Sequence, residues 1–200
     1  MVIIDEAMLR KRAEHNDKNL SNLEEVSLHQ SNIEGISRCV GNLCPLLKIL
    51  YLQNNLIPRL ENLKRLKSLE YLNVAVNNIR YIEGLDRNEN LNKLDFTVNF
   101  IDVDGLLTVA RLKHNFALRE LYAAQHGVLL CALADPYRSC RYLTGNPCTQ
   151  WEHCRAYVIA QLPQVTKLDG KNVMPSERID AQQRLQVQQH TRALTPHAQL

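Results

Sequence analysis

Apolar residues recur along this chain at the first, fourth and sixth places of a short string, with an amide at the ninth and isoleucine at the eleventh. The strings are Leu47-Lys-Ile-Leu50-Tyr-Leu52-Gln-Asn-Asn55-Leu-Ile57, Leu69-Glu-Tyr-Leu72-Asn-Val74-Ala-Val-Asn77-Asn-Ile79 and Leu91-Asn-Lys-Leu94-Asp-Phe96-Thr-Val-Asn99-Phe-Ile101. A looser copy is Leu23-Glu-Glu-Val26-Ser-Leu28-His-Gln-Ser31-Asn-Ile33, and Leu118-Arg-Glu-Leu121-Tyr122 begins a fifth. Successive first leucines lie 24, 22, 22 and 27 residues apart. Alternation around the central leucines predicts a short strand that faces inward at every second residue. Units of this length cannot bury an apolar face alone, so they must stack into a curved solenoid with a parallel sheet on its concave side.

The ninth position has its own physical logic. Asn55, Asn77, Asn99 and Asn146 fall where the chain turns away from the strand. An amide there donates to a carbonyl and accepts from an N–H, satisfying backbone groups that the turn would bury. These four are read as a structural ladder, with Ser31 a weaker substitute in the first unit. Asp102-Val-Asp104 makes the convex side of the fourth unit atypical.

A solenoid needs covers at its ends. Over residues 1–20, Asp5 caps an expected helix through Glu14, with Ile4, Met8 and Leu9 on its apolar side and Arg10-Lys11-Arg12 on a solvated face. Over 143–173, a helix from Trp151 to Gln161 is expected to bury Cys154, Tyr157, Val158 and Leu162 and to stop at Pro163. Leu168 then returns as a last strand residue. Over 174–200, a polar, Gln-rich helix to about Gln189 projects from the cap, and a disordered tail follows.

Residues 123–142 interrupt the fifth unit. Joining Tyr122 to Leu143 restores the pattern through Asn146. One reading is an irregular added unit, with Ala123, His126 and Val128 in the Leu, Asn and Ile places. The other, preferred here, is an artefact of the gene model, such as a retained in-frame intron. No chemistry is placed on His126, Cys131 or Cys140.

Composition narrows the function classes. Net charge is +3, from 24 Lys and Arg against 21 Asp and Glu, so charge gives nucleic-acid binding no support. The longest apolar run, Val128–Ala134, falls far short of the roughly 20 residues that span a bilayer. With no secretory signal, the expectation is a soluble cytoplasmic protein with free thiols at Cys39, Cys44, Cys131, Cys140, Cys148 and Cys154. No CxxC pair suggests a metal. No phosphate loop, zinc-protease motif or nucleophile elbow appears, and His15, His29, His114 and His153 are isolated in sequence. No enzyme, cofactor or small-molecule substrate is expected.

The candidate site is the concave face. Positions three, five and seven of each strand project there: Glu25, Ser27, His29; Ile49, Tyr51, Gln53; Tyr71, Asn73, Ala75; Lys93, Asp95, Thr97; Glu120, Tyr122. Tyr51 and Tyr71, neighbours on adjacent strands and flanked by Ile49, make the expected centre of a protein interface.

The LxxLxLxxNxI pattern is that of leucine-rich repeats, and the cap resembles the one closing short members of that class, with Arg-Ala-Tyr157 in place of the usual Tyr-Arg order. More specific strings are Arg12-Ala-Glu-His-Asn-Asp17, Ser27-Leu-His-Gln30, Thr97-Val-Asn-Phe-Ile101, Leu168-Asp-Gly-Lys171 and Pro175-Ser-Glu-Arg178. In that order, over about 10–180, they resemble the ciliary leucine-rich repeat proteins of the tilB family, which are axonemal dynein assembly factors. The resemblance implies a cytoplasmic scaffold, with the cilium or flagellum as a second location, acting among dynein chains, co-chaperones and other assembly factors. That family continues past the cap into a coiled coil and a β-sandwich domain, neither of which lies in the 200 residues here. Other short-repeat adaptors share the generic pattern: a phosphatase-1 regulatory subunit, a spliceosomal adaptor or an axonemal dynein light chain.

Overall fold

Each repeat contributes one three-residue strand to a parallel sheet. The computed structural model describes residues 1–13, 17–124 and 145–194, with the backbone alone over 187–194. Strands β1 (Glu25–Ser27), β2 (Ile49–Tyr51), β3 (Tyr71–Asn73), β4 (Lys93–Asp95) and β5 (Glu120–Tyr122) pair in chain order. The register aligns Val26, Leu50, Leu72, Leu94 and Leu121 in one buried row. Leu28, Leu52, Val74, Phe96 and Ala123 form a second buried row beneath it. Burying each large apolar side chain is worth about 1.5–3 kcal/mol as an upper estimate, and only stacking provides the burial.

The ladder asparagines join neighbouring repeats. Asn77 Nδ2 donates to Leu52 O of the preceding repeat at 2.9 Å and to Val74 O of its own at 3.0 Å. Its Oδ1 accepts the N–H of Ile57 at 3.0 Å. Asn55 and Asn99 repeat this arrangement, and Asn146 bonds Phe96 O and Ala123 O. Ala123 therefore fills the sixth position of the fifth repeat. The segment expected as an insertion from 123 thus starts with a core residue after an unbroken strand. Residues 125–144, with His126, Cys131, Cys140 and Leu143, lie outside the described residues.

Just before the ladder residue the chain turns through the left-handed region. Gln30, Asn54, Val76 and Val98 have φ of 51°, 60°, 56° and 52°, and Gly145 has 110°. Glycine and asparagine tolerate this region, whereas a β-branched side chain does not. Each valine there costs about 1–2 kcal/mol.

A second row of amides runs along the opposite side of the coil, unforeseen in the sequence. Asn88 Nδ2 donates to Leu63 O and Leu66 O, and Asn115 Nδ2 to Leu85 O and Asn88 O. Both residues are buried. The fourth repeat carries the helix α3 (Val103–Leu107) on this side, after α1 (Glu6–Arg12) and α2 (Cys39–Leu43) earlier in the chain. Asp102 caps α3 by accepting the N–H of Gly105 at 2.7 Å, which accounts for the atypical Asp102-Val-Asp104.

At the first end, Asp5 Oδ1 accepts the N–H of Met8 at 2.7 Å and caps α1. That helix ends two residues before the expected Glu14. Leu9 and Ala13 are buried over the first repeat, and Ile4 N–H bonds Gly35 O beside them. Arg10 lies on the solvent side, paired with Glu6 at 2.7 Å.

The other end departs from expectation. A 3-10 turn, Pro147–Gln150, comes first, and α4 spans Cys154–Gln161, starting three residues later than Trp151. Tyr157 is half-buried rather than buried, and Ile159 joins the core in addition. Strand β6 (Lys167–Leu168) extends the parallel sheet, and β7 (Lys171–Asn172) turns back on it antiparallel. Helix α5 runs Pro175–Leu194, beyond the expected Gln189. Its first half does not project but packs on α4. Ala181 is buried, Glu177 pairs with Arg155 at 2.6 Å, and Arg178 donates to Val165 O at 2.7 Å.

Candidate functional site

The concave face follows from strand alternation. Inward leucines fix the pleat, so the third and fifth positions of every repeat must point into the hollow. The third-position row reads Glu25, Ile49, Tyr71, Lys93, Glu120 across β1 to β5, and Lys167 of β6 extends it. The fifth-position row reads Ser27, Tyr51, Asn73, Asp95, Tyr122. Apart from the exposed Glu25, all of these are half-buried.

Tyr71 lies directly opposite Ile49 and diagonal to Tyr51. The two tyrosine rings meet edge to face, with centroids 5.5 Å apart. Such a pair contributes about 0.5–1.5 kcal/mol beyond its burial. Lys93 Nζ sits 4.9 Å from the Tyr71 ring centre and 5.2 Å from that of Tyr122. Glu120 lies between Lys93 and Lys167, 3.6 Å from each, and accepts the Tyr122 hydroxyl at 3.1 Å. Lys93 is therefore held by a carboxylate and two ring faces rather than free to roam. Burial, and after it the charge of Asp95, pushes the Tyr71 hydroxyl up to about 12. Burial and the bond to Glu120 raise Tyr122 as well.

Other predicted positions turn partly inward on the protein itself. Asn73 Oδ1 accepts the N–H of Ala75 at 3.0 Å, and its Nδ2 donates to the Tyr71 hydroxyl at 3.3 Å. Asp95 Oδ1 accepts both the N–H and the hydroxyl of Thr97. Ser27 Oγ and His29 Nδ1 share a hydrogen bond of 2.7 Å. Ala75, expected on the concave surface, is buried at 9% exposure, because its methyl is too short to clear the neighbouring strands. Gln53 Oε1 is buried with no hydrogen-bond partner among the described residues.

Sequence reasoning missed two cap residues that complete this face. Lys167 continues the charged row. Asp169 Oδ1 accepts the N–H groups of Ala123 and Ala124 at 2.7 and 2.8 Å, taking the place of the next strand's carbonyl, which accepts the sixth-position N–H in the earlier repeats. The signal was the Leu168-Asp-Gly170 string, read as a cap marker only.

Among the described residues no group of three or more His, Cys, Asp or Glu is arranged to hold a metal ion. No described helix is long and apolar enough to cross a membrane. Cys39, Cys44, Cys148 and Cys154 carry free thiols, and burial pushes Cys44 up to about 11. A hydrogen bond with the Cys154 thiol, and after it burial, raises Cys148 too.

A coil built from parallel three-residue strands, one per unit, with amide ladders along its turns and a helix over each end, is a leucine-rich repeat solenoid. Solved structures share this fold. A chain of the Drosophila melanogaster SNF/U2A′ complex superposes with a TM-score of 0.71 at 20% identity, over 98% of this chain and 100% of that one. An internalin from Listeria monocytogenes gives 0.50 at 19% identity, over 76% of this chain and 36% of that one. Identities this low speak for fold alone. No protein-family profile matches the chain.

Sequence relatives are more specific. Dynein axonemal assembly factor 11 of Trypanosoma brucei brucei is 48% identical over 176 residues, 88% of this chain and 40% of the relative. Protein tilB of Drosophila melanogaster is 48% identical over 181 residues, 90% of this chain and 40% of the relative. Dynein axonemal assembly factor 11 of Homo sapiens is 47% identical over 180 residues, 90% of this chain and 34% of the relative. The chain is a homologue of the tilB proteins over the part that it matches, and it spans between a third and two fifths of their length.

Proposed function

We propose that this chain is a protein-binding scaffold in the cytoplasmic assembly of axonemal dynein arms, and so in the motility of cilia or flagella. The observation that carries the reading is the 47–48% identity, over about nine-tenths of the chain, to proteins named for that assembly. Its partners are dynein chains, co-chaperones or other assembly factors, and it works without enzymatic activity or a cofactor.

The concave face is the docking surface in this reading. Tyr51 and Tyr71 offer ring area on rigid strands, so few rotamers are lost on binding. Glu25, Ser27, His29, Ile49, Gln53, Asn73, Asp95, Thr97, Glu120 and Tyr122 surround them, and the held Lys93 adds a fixed charge. A phosphatase-1 regulatory subunit, a spliceosomal adaptor or a dynein light chain would use the same fold, but the relatives' names favour none of these.

The gene is disrupted in an organism with motile cilia, and axonemes are examined by electron microscopy. Missing dynein arms with normal splicing and mitosis support the reading, whereas intact arms overturn it. The site is tested separately with Tyr51→Ala/Tyr71→Ala. Dynein chains co-precipitated from ciliated-cell cytoplasm should be lost while circular dichroism shows an unchanged fold. Undiminished capture would reject this face.

A further inference from the structure

On the convex side, the first two repeats enclose a pocket of about 350 Å³ lined by Arg38, Asn42, Asn62, Lys64 and Arg65. Arg38 and Asn42 come from α2 and its N-terminal flank, the other three from the second repeat. Its lining holds three cations and two amides and no carboxylate. Glu61, adjacent to Asn62 in sequence, turns its carboxylate toward Gly35 instead. Among the described residues no acidic side chain pairs with Arg38, Lys64 or Arg65. Other cations of the fold are paired: Lys48 with Glu24 at 2.9 Å, Arg155 with Glu177 at 2.6 Å, and Lys93 and Lys167 with Glu120. Like charges brought together repel, so folding by itself does not favour this cluster.

The pocket is held in shape by its own residues. Arg65 Nη1 donates to Asn42 Oδ1 at 2.6 Å, which fixes the guanidinium and leaves its other N–H groups to a ligand. Asn42 Nδ2 has no partner among the described residues. Asn62 takes a left-handed turn, φ 60°, and its Nδ2 donates to Ile36 O at 2.6 Å, tying the second repeat to the first. Gly41, buried within α2, leaves room for Arg65. A Cβ there would lie 2.8 Å from Arg65 Cβ. A glycine inside a helix is otherwise unfavourable. The arrangement is local to these two repeats. One period of 22 residues on, Gly84 replaces Asn62 and Asp86 replaces Lys64.

We infer that this pocket binds a phosphorylated serine or threonine side chain of a partner protein, on the opposite side of the sheet from the concave face. Small-molecule sites are lined mainly by apolar groups, which this pocket lacks. A phosphate carries a charge of about −1.5 to −2 and three acceptor oxygens, whereas a single carboxylate would leave most of the positive charge unmatched. Arginine forks match phosphate geometry in pairs of parallel hydrogen bonds. A membrane surface is read by clusters of about four to eight Lys and Arg, more than the three here. Nucleic-acid binding calls for a broad basic face, and the chain carries a net charge of only +3.

The test is to screen a degenerate peptide library with a fixed central phosphoserine on the immobilised full chain, and to titrate the selected peptide by fluorescence anisotropy. The same peptide with serine or glutamate at the centre should bind about tenfold or more weakly. Arg38→Gln/Lys64→Gln should weaken the phosphopeptide about tenfold or more, and circular dichroism should be unchanged because both side chains are exposed. Lys113→Glu, which lowers the net charge equally from an exposed site in the fourth repeat, should leave it within about twofold. Tyr51→Ala/Tyr71→Ala should do the same, so failure of this pocket and failure of the concave face are separate results. No selected binder, equal binding of the glutamate peptide, or equal losses in the pocket and Lys113 variants would overturn the inference. Binding to phosphatidylcholine/phosphatidylserine vesicles that the pocket variant alone abolishes, without phosphopeptide binding, would overturn it in favour of a lipid headgroup.

Discussion

Replacing Asn55 with alanine should destabilise the protein more than replacing Asn77, although the two residues hold the same place in consecutive repeats. The ladder is redundant in its interior. Leu52 O accepts from both Asn55 and Asn77, and Val74 O from both Asn77 and Asn99. Ala75 O also accepts the N–H of Asn54. Asn77→Ala therefore strips only one buried group of its partner, the N–H of Ile57. The expected loss is about 2–4 kcal/mol, from one orphaned donor plus the weakened amide bonds. Asn55 has no equivalent behind it, since Ser31 bonds His29 O instead of Leu28 O. Asn55→Ala strips the buried Leu28 O and the buried N–H of Ile33, together with the half-exposed N–H of Ser31. The expected loss is about 3–6 kcal/mol, and the gap between the two variants about 1–3 kcal/mol. Urea unfolding followed by circular dichroism and by tyrosine fluorescence would measure both. Coincident transitions in which Asn55→Ala is no worse than Asn77→Ala would refute the argument from shared carbonyls.

Two further outcomes follow from the same coordinates. Gly105→Ala should cost about 2 kcal/mol despite alanine's better helix propensity, because the new Cβ would press into the backbone oxygen of Arg80, whereas Gly35→Ala, with nothing nearer than 3.8 Å, should be near neutral in the same melt. Arg155 holds the Glu177 carboxyl below its ordinary value, so this pair stabilises α5 docking above the unfolded-state pKa and ceases to as pH falls through the lower folded value. Glu177→Gln should remove about 0.5–1 kcal/mol at neutral pH and flatten the acid limb of α5 amide-exchange protection, and an unchanged limb would exclude the pair as its source.

Sequence by itself determined the repeat register, the inward rows and the ladder. The reason is that each repeat touches mainly its neighbours in sequence, so a period of two dozen residues is also a spatial layer. The concave positions follow from that alternation, and Tyr51 and Tyr71, flanked by Ile49, could be placed side by side before any coordinates. Only the tertiary structure decided what depends on distant or conformational partners. Asn88 and Asn115 sit outside the LxxLxLxxNxI string, and their burial depends on carbonyls more than twenty residues away. Ala123 became the sixth-position residue because Asn146 and Asp169 reach it across the fold. Helix α5, polar enough to read as projecting, docks through Arg155 and Glu177, whose pairing no periodicity reveals. The strain at Val76 and Val98 was invisible for the same kind of reason. A valine in a strand-and-turn pattern carries no mark of its φ, and the neighbouring repeats that impose that turn exist only once the coil is built.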